Sequence, residues 1–372
     1  MIYLDNSATS FPKPPSVHSA VENYMTSVGA SAGRSSHKRA KTAMDIAFAC
    51  RSKVAELIGA SSPEKIIFTK NATEGINIII NGVVSPGDKV TVSGLEHNAV
   101  MRPLETLKAT VDILPSTNNG TADVEKLNSI SNDTKLVILN HVSNVSGAVN
   151  DVYRAGEICY EKNIPLLIDC SQSAGHFEID VKKLGASVVF PGHKGVFGPP
   201  GTGVMYLHSI MPKALIFGGT GSDSESISQP LILPDYYESG TLNMVGIAGL
   251  LKGVEFVLGI GIEEIHKTEF ALTKTLRDGL KNMKNITVWP QNLDDYGSVI
   301  SFTSPLAEPS EIAYLLDKRY DIAVRSGLHC APFAHKTYGT FPGGTVRLSP
   351  GYFNTPHEIQ LTLDAINDIV NH

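Results

Sequence analysis

The stretch Phe190-Pro-Gly-His-Lys-Gly-Val-Phe-Gly-Pro-Pro-Gly-Thr-Gly-Val-Met-Tyr-Leu207 sets one histidine and one lysine in a glycine-rich loop between two apolar runs. The first run, Ala186-Ser-Val-Val-Phe190, is short and β-branched, the pattern of a strand buried on both faces. Val204-Met-Tyr-Leu207 reads the same way. Five glycines between them let the backbone approach another group closely. Lys194, flanked by Gly192 and Gly195, stands beside a sheet end, where a partly desolvated amine gives up its proton readily and suits a Schiff-base role. The plainer alternative is a solvated turn lysine. A phosphate-binding P-loop is excluded, because Gly198 to Val204 lacks the Gly-Lys-Ser/Thr ending.

Upstream of this stretch, strands and helices alternate. Ile66–Thr69, Val90–Val92, Leu136–Leu139 and Pro165–Ile168 read as strands, each followed by a polar cluster: Asn71-Ala-Thr-Glu74, Glu96-His-Asn98, His141 to Gly147 and Asp169-Cys-Ser-Gln172. Apolar strands alternating with helices predict an α/β domain with a mainly parallel sheet. In such sheets ligands sit beyond the carboxyl ends of the strands, so one pocket can collect residues near 73, 97, 144, 169, 172 and 193–194. Helices are expected from about Ser16, from His37 to Gly59, from Met244 to Leu258 and from Ile262 to Asn285. Shorter strands at Val299–Thr303, Ile322–Val324 and Val346–Ser349 predict a smaller α+β domain. The division expected is 15–258 for the large domain and 259–372, with 1–14, for the small one. Thr355, Pro356 and Glu358 form a capping box that opens the last helix.

A chain of 372 residues can bury about three quarters of its unfolded surface, enough for both domains. With 42% hydrophobic and 18% charged residues it reads as an ordinary folded protein. The net charge of −6, without a clustered basic run, argues against nucleic acid or an anionic membrane as partner. Met1-Ile-Tyr-Leu-Asp5 reaches an acid too soon for an export signal, and no apolar run approaches the ~18 residues of a membrane span. Cys50, Cys159, Cys170 and Cys330 are widely spaced, which predicts free thiols in a cytoplasmic protein. Twelve histidines without metal-ligand spacing predict no metal site.

Asp169, directly after Pro-Leu-Leu-Ile168, would stand partly desolvated on the pocket floor and would want a cationic partner. The pyridine nitrogen of pyridoxal phosphate is such a partner, and that coenzyme also needs a lysine at its aldehyde. Asn71-Ala-Thr-Glu74 opening a helix offers a phosphate free backbone N–H groups and the Thr73 hydroxyl. His97 could lay a flat ring against the coenzyme. Each residue also has a structural reading: a turn Asp, a routine helix start, a satisfied histidine.

Asp169-x-x-Gln172, Gly192-His-Lys194 with its glycine-rich tail, and Arg325-x-Gly-x-His-Cys330-Ala together resemble the cysteine desulfurase and selenocysteine lyase family. These are class V aminotransferase relatives with the pyridoxal phosphate-dependent transferase fold, type I. The likeness runs from Tyr3-Leu-Asp-Asn6 to Phe353-Asn-Thr355. It implies that Lys194 carries the coenzyme, Asp169 faces its pyridine nitrogen and His97 stacks on its ring. Gln172, with Asn144 nearby, would meet the phenolic oxygen, while Thr73 and His193 hold the phosphate. Thr241 would reach the phosphate of a second subunit, which implies a homodimer with shared active sites. Arg325 would clamp the substrate carboxylate; Arg347, and Arg34 with His37, line the same entrance. Cys330 would accept the sulfur of L-cysteine as a persulfide and pass it to a thiol or a sulfur-acceptor protein. The other cysteines read as structural. Pro332 to Gly344, rich in Gly, Pro and aromatics, reads as a loop that lets Cys330 move.

Three positions depart from the family pattern. Pro191 and Ala72 stand where hydroxyl residues are common, which implies an altered phosphate cup. Leu328 stands where a histidine is frequent, which bears on proton handling near Cys330 and on the substrate. The alternatives are a selenocysteine lyase, a class V transaminase or β-lyase acting on another amino acid, and a non-catalytic coenzyme-binding protein.

Overall fold

The computed structural model describes every residue except Arg34, Asp223, Ser224, Asp294 and His372. In chain order its elements are β1 (Ile2–Tyr3), α1 (Pro15–Asn23), α2 (Lys38–Leu57), β2 (Ile66–Thr69), α3 (Ala72–Val83), β3 (Lys89–Ser93), α4 (Asn98–Thr106), β4 (Thr110–Leu114) and β5 (Thr134–Asn140). There follow α5 (Val152–Glu161), β6 (Leu166–Asp169), α6 (Val181–Leu184), β7 (Ser187–Pro191), β8 (Gly203–Tyr206), α7 (Met244–Ile260) and α8 (Ile262–Lys281). The chain closes with β9 (Thr287–Trp289), β10 (Ile300–Thr303), α9 (Pro309–Tyr320), β11 (Ile322–Ala323), β12 (Arg325–Gly327), α10 (Pro332–Tyr338), β13 (Thr345–Leu348) and α11 (Pro356–Asn371).

Seven strands form the main sheet in the order β2-β8-β7-β6-β5-β3-β4. β8 runs antiparallel to both neighbours and the other pairings are parallel, so the expected mainly parallel α/β sheet is present. Its central strands are buried on both faces, which is why they read as unbroken apolar runs. β4 escaped that reading because it is an edge strand with a mostly exposed pattern. A second, antiparallel sheet of order β12-β13-β10-β9 packs with α8, α9 and α11 around Phe302, Leu276 and Ile366. Apolar α7 lies buried against α2, and meets α8 at an 83° bend. Among the described residues no single helix is long and apolar enough to cross a membrane.

Local signals in the sequence set the helix starts. His37 and Asn71 cap α2 and α3 through their side chains. At α11 the Thr355 N–H donates to Glu358 Oε2 (2.8 Å) and the Glu358 N–H to Thr355 Oγ1 (3.3 Å), the predicted reciprocal pair. Pro332 to Gly344 corrects the expectation of a mobile loop. It contains helix α10, whose Ala334 and Tyr338 are buried against Leu95 and Val145.

The N-terminal segment, which forms a third, two-stranded sheet with β11, links the other two. β1 pairs with β11, Asp5 bridges to Ser349, and the chain then crosses to the loop after β7. There Ser10 N–H and Lys13 Nζ donate to the His193 carbonyl (3.1 and 2.7 Å), and Ser10 Oγ donates to the Lys194 carbonyl (2.8 Å). What the glycines of this loop approach is protein: a Cβ on Gly195 would lie 2.3 Å from the Ala174 carbonyl oxygen and 2.4 Å from His176 Nε2. The loops after β6 and β7 are thereby locked together, each carrying one end of the predicted coenzyme set.

Candidate active site

One cavity opens at the carboxyl ends of β5, β6 and β7. It is lined by Lys194, His193, Asp169, Gln172, His97, Asn144 and Thr73, with Asn71, Asn140 and Ser171. Seven of the residues singled out from the sequence therefore share one wall-to-wall space. Lys194 and Asp169 face the same cavity. This is the arrangement on which the coenzyme assignment depends.

The electrostatics ease proton loss from an amine beside a buried carboxylate. Burial pushes the Lys194 ammonium down to about 8; Asp169 opposes that shift, while Arg347 and Arg325 add to it. Asp169 is buried and accepts the Ser171 N–H at 2.9 Å. His97 caps α4, its Nδ1 accepting the Ala99 N–H at 3.0 Å. Burial holds its ring near 4, with Asp169 opposing and the Lys194 and Arg325 charges assisting, so the ring is neutral at pH 7. Gln172 Nε2 donates to the Ser7 carbonyl (3.0 Å), and Asn144 Nδ2 to the His329 carbonyl (2.7 Å).

A phosphate has a matching cradle. α3 opens on the cavity with Thr73 in its first turn, and the Asn71 side chain accepts the Glu74 N–H. His193 Nδ1 is buried without a hydrogen-bond partner, a group waiting for an acceptor or donor from the cavity side. Burial and the Lys194 and Lys13 charges hold that ring near 4. Pro191 and Ala72 both line the cavity, so the two missing hydroxyls lie where the departures implied. An unpartnered histidine, a helix amino end, a buried carboxylate and a lysine of lowered pKa fit pyridoxal phosphate.

Five predicted residues that the structure describes stand outside the cavity lining. Arg325 lies on β12 directly opposite Arg347 on β13, and its Nη2 donates to Cys330 Sγ at 3.3 Å. Arg347 is 1% exposed, ion-paired to Asp5 (2.6 Å) and bonded to the Asn144 carbonyl (3.0 Å), with Nε unpartnered. Cys330 is exposed at the rim, its carbonyl accepting the Asn98 N–H at 2.8 Å. Cys50, Cys159 and Cys170 are buried. Thr241 is exposed and lines a separate cavity with Thr69, Lys70 and Glu74. Its segment is anchored by a buried Arg51–Glu238 ion pair at 2.5 Å. His37 is exposed and caps α2; Arg34 lies outside the described residues.

Sequence reasoning missed three contributors. Asp5 holds Arg347, Lys13 holds the His193 carbonyl, and Glu96 lies buried under the floor. Burial pushes the Glu96 carboxyl up to about 8, although Ser93 Oγ (2.5 Å) and the Asn140 N–H (2.9 Å) donate to it. Asp5 was quotable within Tyr3-Leu-Asp-Asn6, but nothing local announces a partner at position 347.

The fold and this site have known counterparts. The class-V aminotransferase family profile matches residues 2–362. A probable cysteine desulfurase of Methanothermobacter thermautotrophicus is 35% identical, covering 99% of this chain and 94% of that protein. One from Pyrococcus abyssi is 34% identical, covering 100% and 94%. Among solved structures, the apo cysteine desulfurase of Thermococcus onnurineus superposes with a TM-score of 0.89 at 31% identity, covering 99% of this chain and 94% of that one. The Escherichia coli cysteine desulfurase CsdA gives 0.87 at 27%, covering 98% and 94%.

Proposed function

The chain belongs to the class-V aminotransferase family, in its cysteine desulfurase branch, and from that premise we propose that it converts L-cysteine to L-alanine and loads the sulfur onto Cys330. The observation that carries this reading is the single cavity shared by Lys194, Asp169, His97 and Gln172, with the exposed Cys330 thiol at its rim. Pyridoxal phosphate, when bound, supplies an electron sink for bonds at the carbon bearing the substrate's amine.

The protein's own groups do the rest. Thr73, the α3 amino end and His193 would hold the phosphate, Asp169 would keep the pyridine nitrogen charged, Gln172 and Asn144 would meet the phenolic oxygen, and His97 would offer a flat neutral ring. Lys194 would hold the coenzyme's aldehyde, and its free amine would carry the substrate's α-proton, a task suited to an amine near 8. Arg325, flanked by Arg347, receives the carboxylate. The Cys330 thiolate attacks the substrate sulfur. A sulfur–sulfur bond forms and the carbon–sulfur bond breaks. The electron pair leaves with the carbon, which takes up a proton to become the methyl group of alanine. L-cysteine plus thiol thus gives L-alanine plus persulfide, with no outside oxidant. A second thiol or an acceptor protein then takes the sulfur.

One exposed surface supports a homodimer. Thr241 stands exposed and lines one cavity with the exposed Leu215 and Ile216, an apolar surface suited to a second copy. The free thiols fit a reducing, cytoplasmic setting. We divide the large domain, 15–258, from the small one, 259–372 with 1–14, near the bend between α7 and α8.

The test is to incubate purified protein with L-cysteine and a reductant, measuring both products. Equal amounts of sulfide and alanine are expected. Pyruvate, or amino-group transfer to a keto acid, would replace this reading with a β-lyase or a transaminase.

A further inference from the structure

His329 precedes the Cys330 thiol in the turn after β12, and both residues take positive φ (48° and 58°), a backbone that side-chain-bearing residues adopt only where their surroundings enforce it. The enforcement is a closed ring of hydrogen bonds. At one end the His329 carbonyl accepts Asn144 Nδ2 at 2.7 Å. At the other, His329 Nε2 meets Thr345 Oγ1 on β13 (2.9 Å), Thr345 Oγ1 donates to Ser301 Oγ on β10 (2.9 Å), and Ser301 Oγ donates to the Val145 carbonyl (2.5 Å). Asn144 and Val145 are neighbours in the loop after β5, so the ring begins and ends there. His329, Thr345 and Ser301 are buried. The protons have one consistent order. A carbonyl only accepts, so Ser301 spends its hydroxyl proton on Val145 and accepts from Thr345; Thr345, having given its own, accepts from His329. His329 Nε2 therefore carries the hydrogen, while Nδ1 is buried without a partner. Burial, with Arg347, His335 and Arg325 assisting, pushes the ring down to about 2, which keeps it in the neutral form this order needs. Cys330 Sγ itself meets Arg325 Nη2 at 3.3 Å, so the imidazole acts on the thiol through the turn it holds.

We propose that His329 is a positioning residue: its ring, tied through Nε2–H to Thr345 and Ser301, holds the turn in the conformation that places the Cys330 sulfur for attack. This rests on the desulfurase reading, in which that sulfur reacts directly. Thr345 and Ser301 line no part of the coenzyme cavity, so loosening the ring there slows the step that uses the thiol and spares the steps that do not. Asn144 lines the cavity and is left out of the test for that reason. A misplacement of about 1 Å, caused by a change remote from the reacting atoms, can cost on the order of 10²-fold. The Asn98 N–H on the Cys330 carbonyl (2.8 Å) and the buried face of α10 remain in place, so the loss is smaller than that from removing the thiol.

The experiment measures alanine formed by the holoenzyme from L-cysteine and, in parallel, from L-selenocysteine, whose selenium leaves carbon without needing the enzyme thiol as strictly. Thr345→Val removes the acceptor for the imidazole and His329→Leu removes the donor; Thr345→Ser and His329→Gln keep an acceptor and a donor within reach. In the first pair kcat on L-cysteine should fall about tenfold or more while selenocysteine turnover stays within about twofold, and the second pair should stay within about threefold of wild type on both. A second readout needs no substrate: hydrogen exchange at the Asn98 and Ala331 amides, which donate to the Cys330 and Leu328 carbonyls (2.8 and 2.9 Å). Exchange there should quicken about tenfold in Thr345→Val and His329→Leu and not in the conservative pair, with β5 and β6 unchanged. Parallel loss on both substrates, or undiminished cysteine turnover in Thr345→Val, would overturn the proposal. So would unchanged exchange in the turn. Failure of the desulfurase reading would show separately, as a wild type that makes no alanine and sulfide from L-cysteine while exchange in its turn still responds to Thr345→Val.

Discussion

Lys194→Ala is expected to lower turnover of L-cysteine by about 10²–10⁴-fold or more, the range that positioned proton transfer alone supplies. An ordinary lysine near ~10.4 is neutral in about one molecule in a thousand at pH 7.5. Lys194, pushed to about 8, is neutral far more often, so its removal takes away an anchor and a base together. The same shift predicts a stability effect. The folded value lies below the unfolded one, so under pH 8 the amine is charged in both states and the folded state bears the full cost of burying it. Between about 8 and 10 the folded state gives up its proton first and stability rises. Coenzyme-free Lys194→Met should therefore melt higher than coenzyme-free wild type below pH 8, with the gap closing toward pH 10. Thermal unfolding across that range checks it, and a gap independent of pH would count against a buried amine.

Cys330→Ala should fold normally, since the side chain is exposed and such substitutions usually stay within about ±0.5 kcal/mol. Alanine and sulfide from L-cysteine should nevertheless fall by roughly 10³-fold or more, the scale on which loss of a covalent nucleophile registers. Selenocysteine is the discriminating substrate, because selenium leaves carbon without needing the enzyme thiol as strictly. The variant should keep releasing selenide while failing on cysteine. Unchanged cysteine turnover would show that Cys330 is not the acceptor, and a transaminase or β-lyase would then be the better reading.

The cavity was legible because strand ends in a parallel sheet collect whatever polar residues follow each strand. Asp169, His97 and Lys194 needed only that rule and the sequence order. The rim was less legible. Asn144 and His329 lie 185 positions apart, and Asp5 and Arg347 lie 342 apart. No local pattern encodes such pairs. Composition misled at Pro332–Gly344, where proline at the first helical turn and glycine at the αL end are helix signals as well as loop signals. β9 and β12 were missed because three residues are too few to show a period. The glycines after Lys194 invited a ligand-facing reading, and packing against Ala174 and His176 accounts for Gly195 instead.

The central claim is that Lys194, and no other amine, carries the coenzyme. Lys13 is the proper rival: burial pushes it down to about 8 as well, and its Nζ lies 2.7 Å from the His193 carbonyl. Reducing the holoenzyme with borohydride makes the coenzyme's bond to its lysine permanent, and peptide mapping then locates the added mass. The account predicts it on the peptide containing Lys194 alone; mass on Lys13, or on neither lysine, would contradict it.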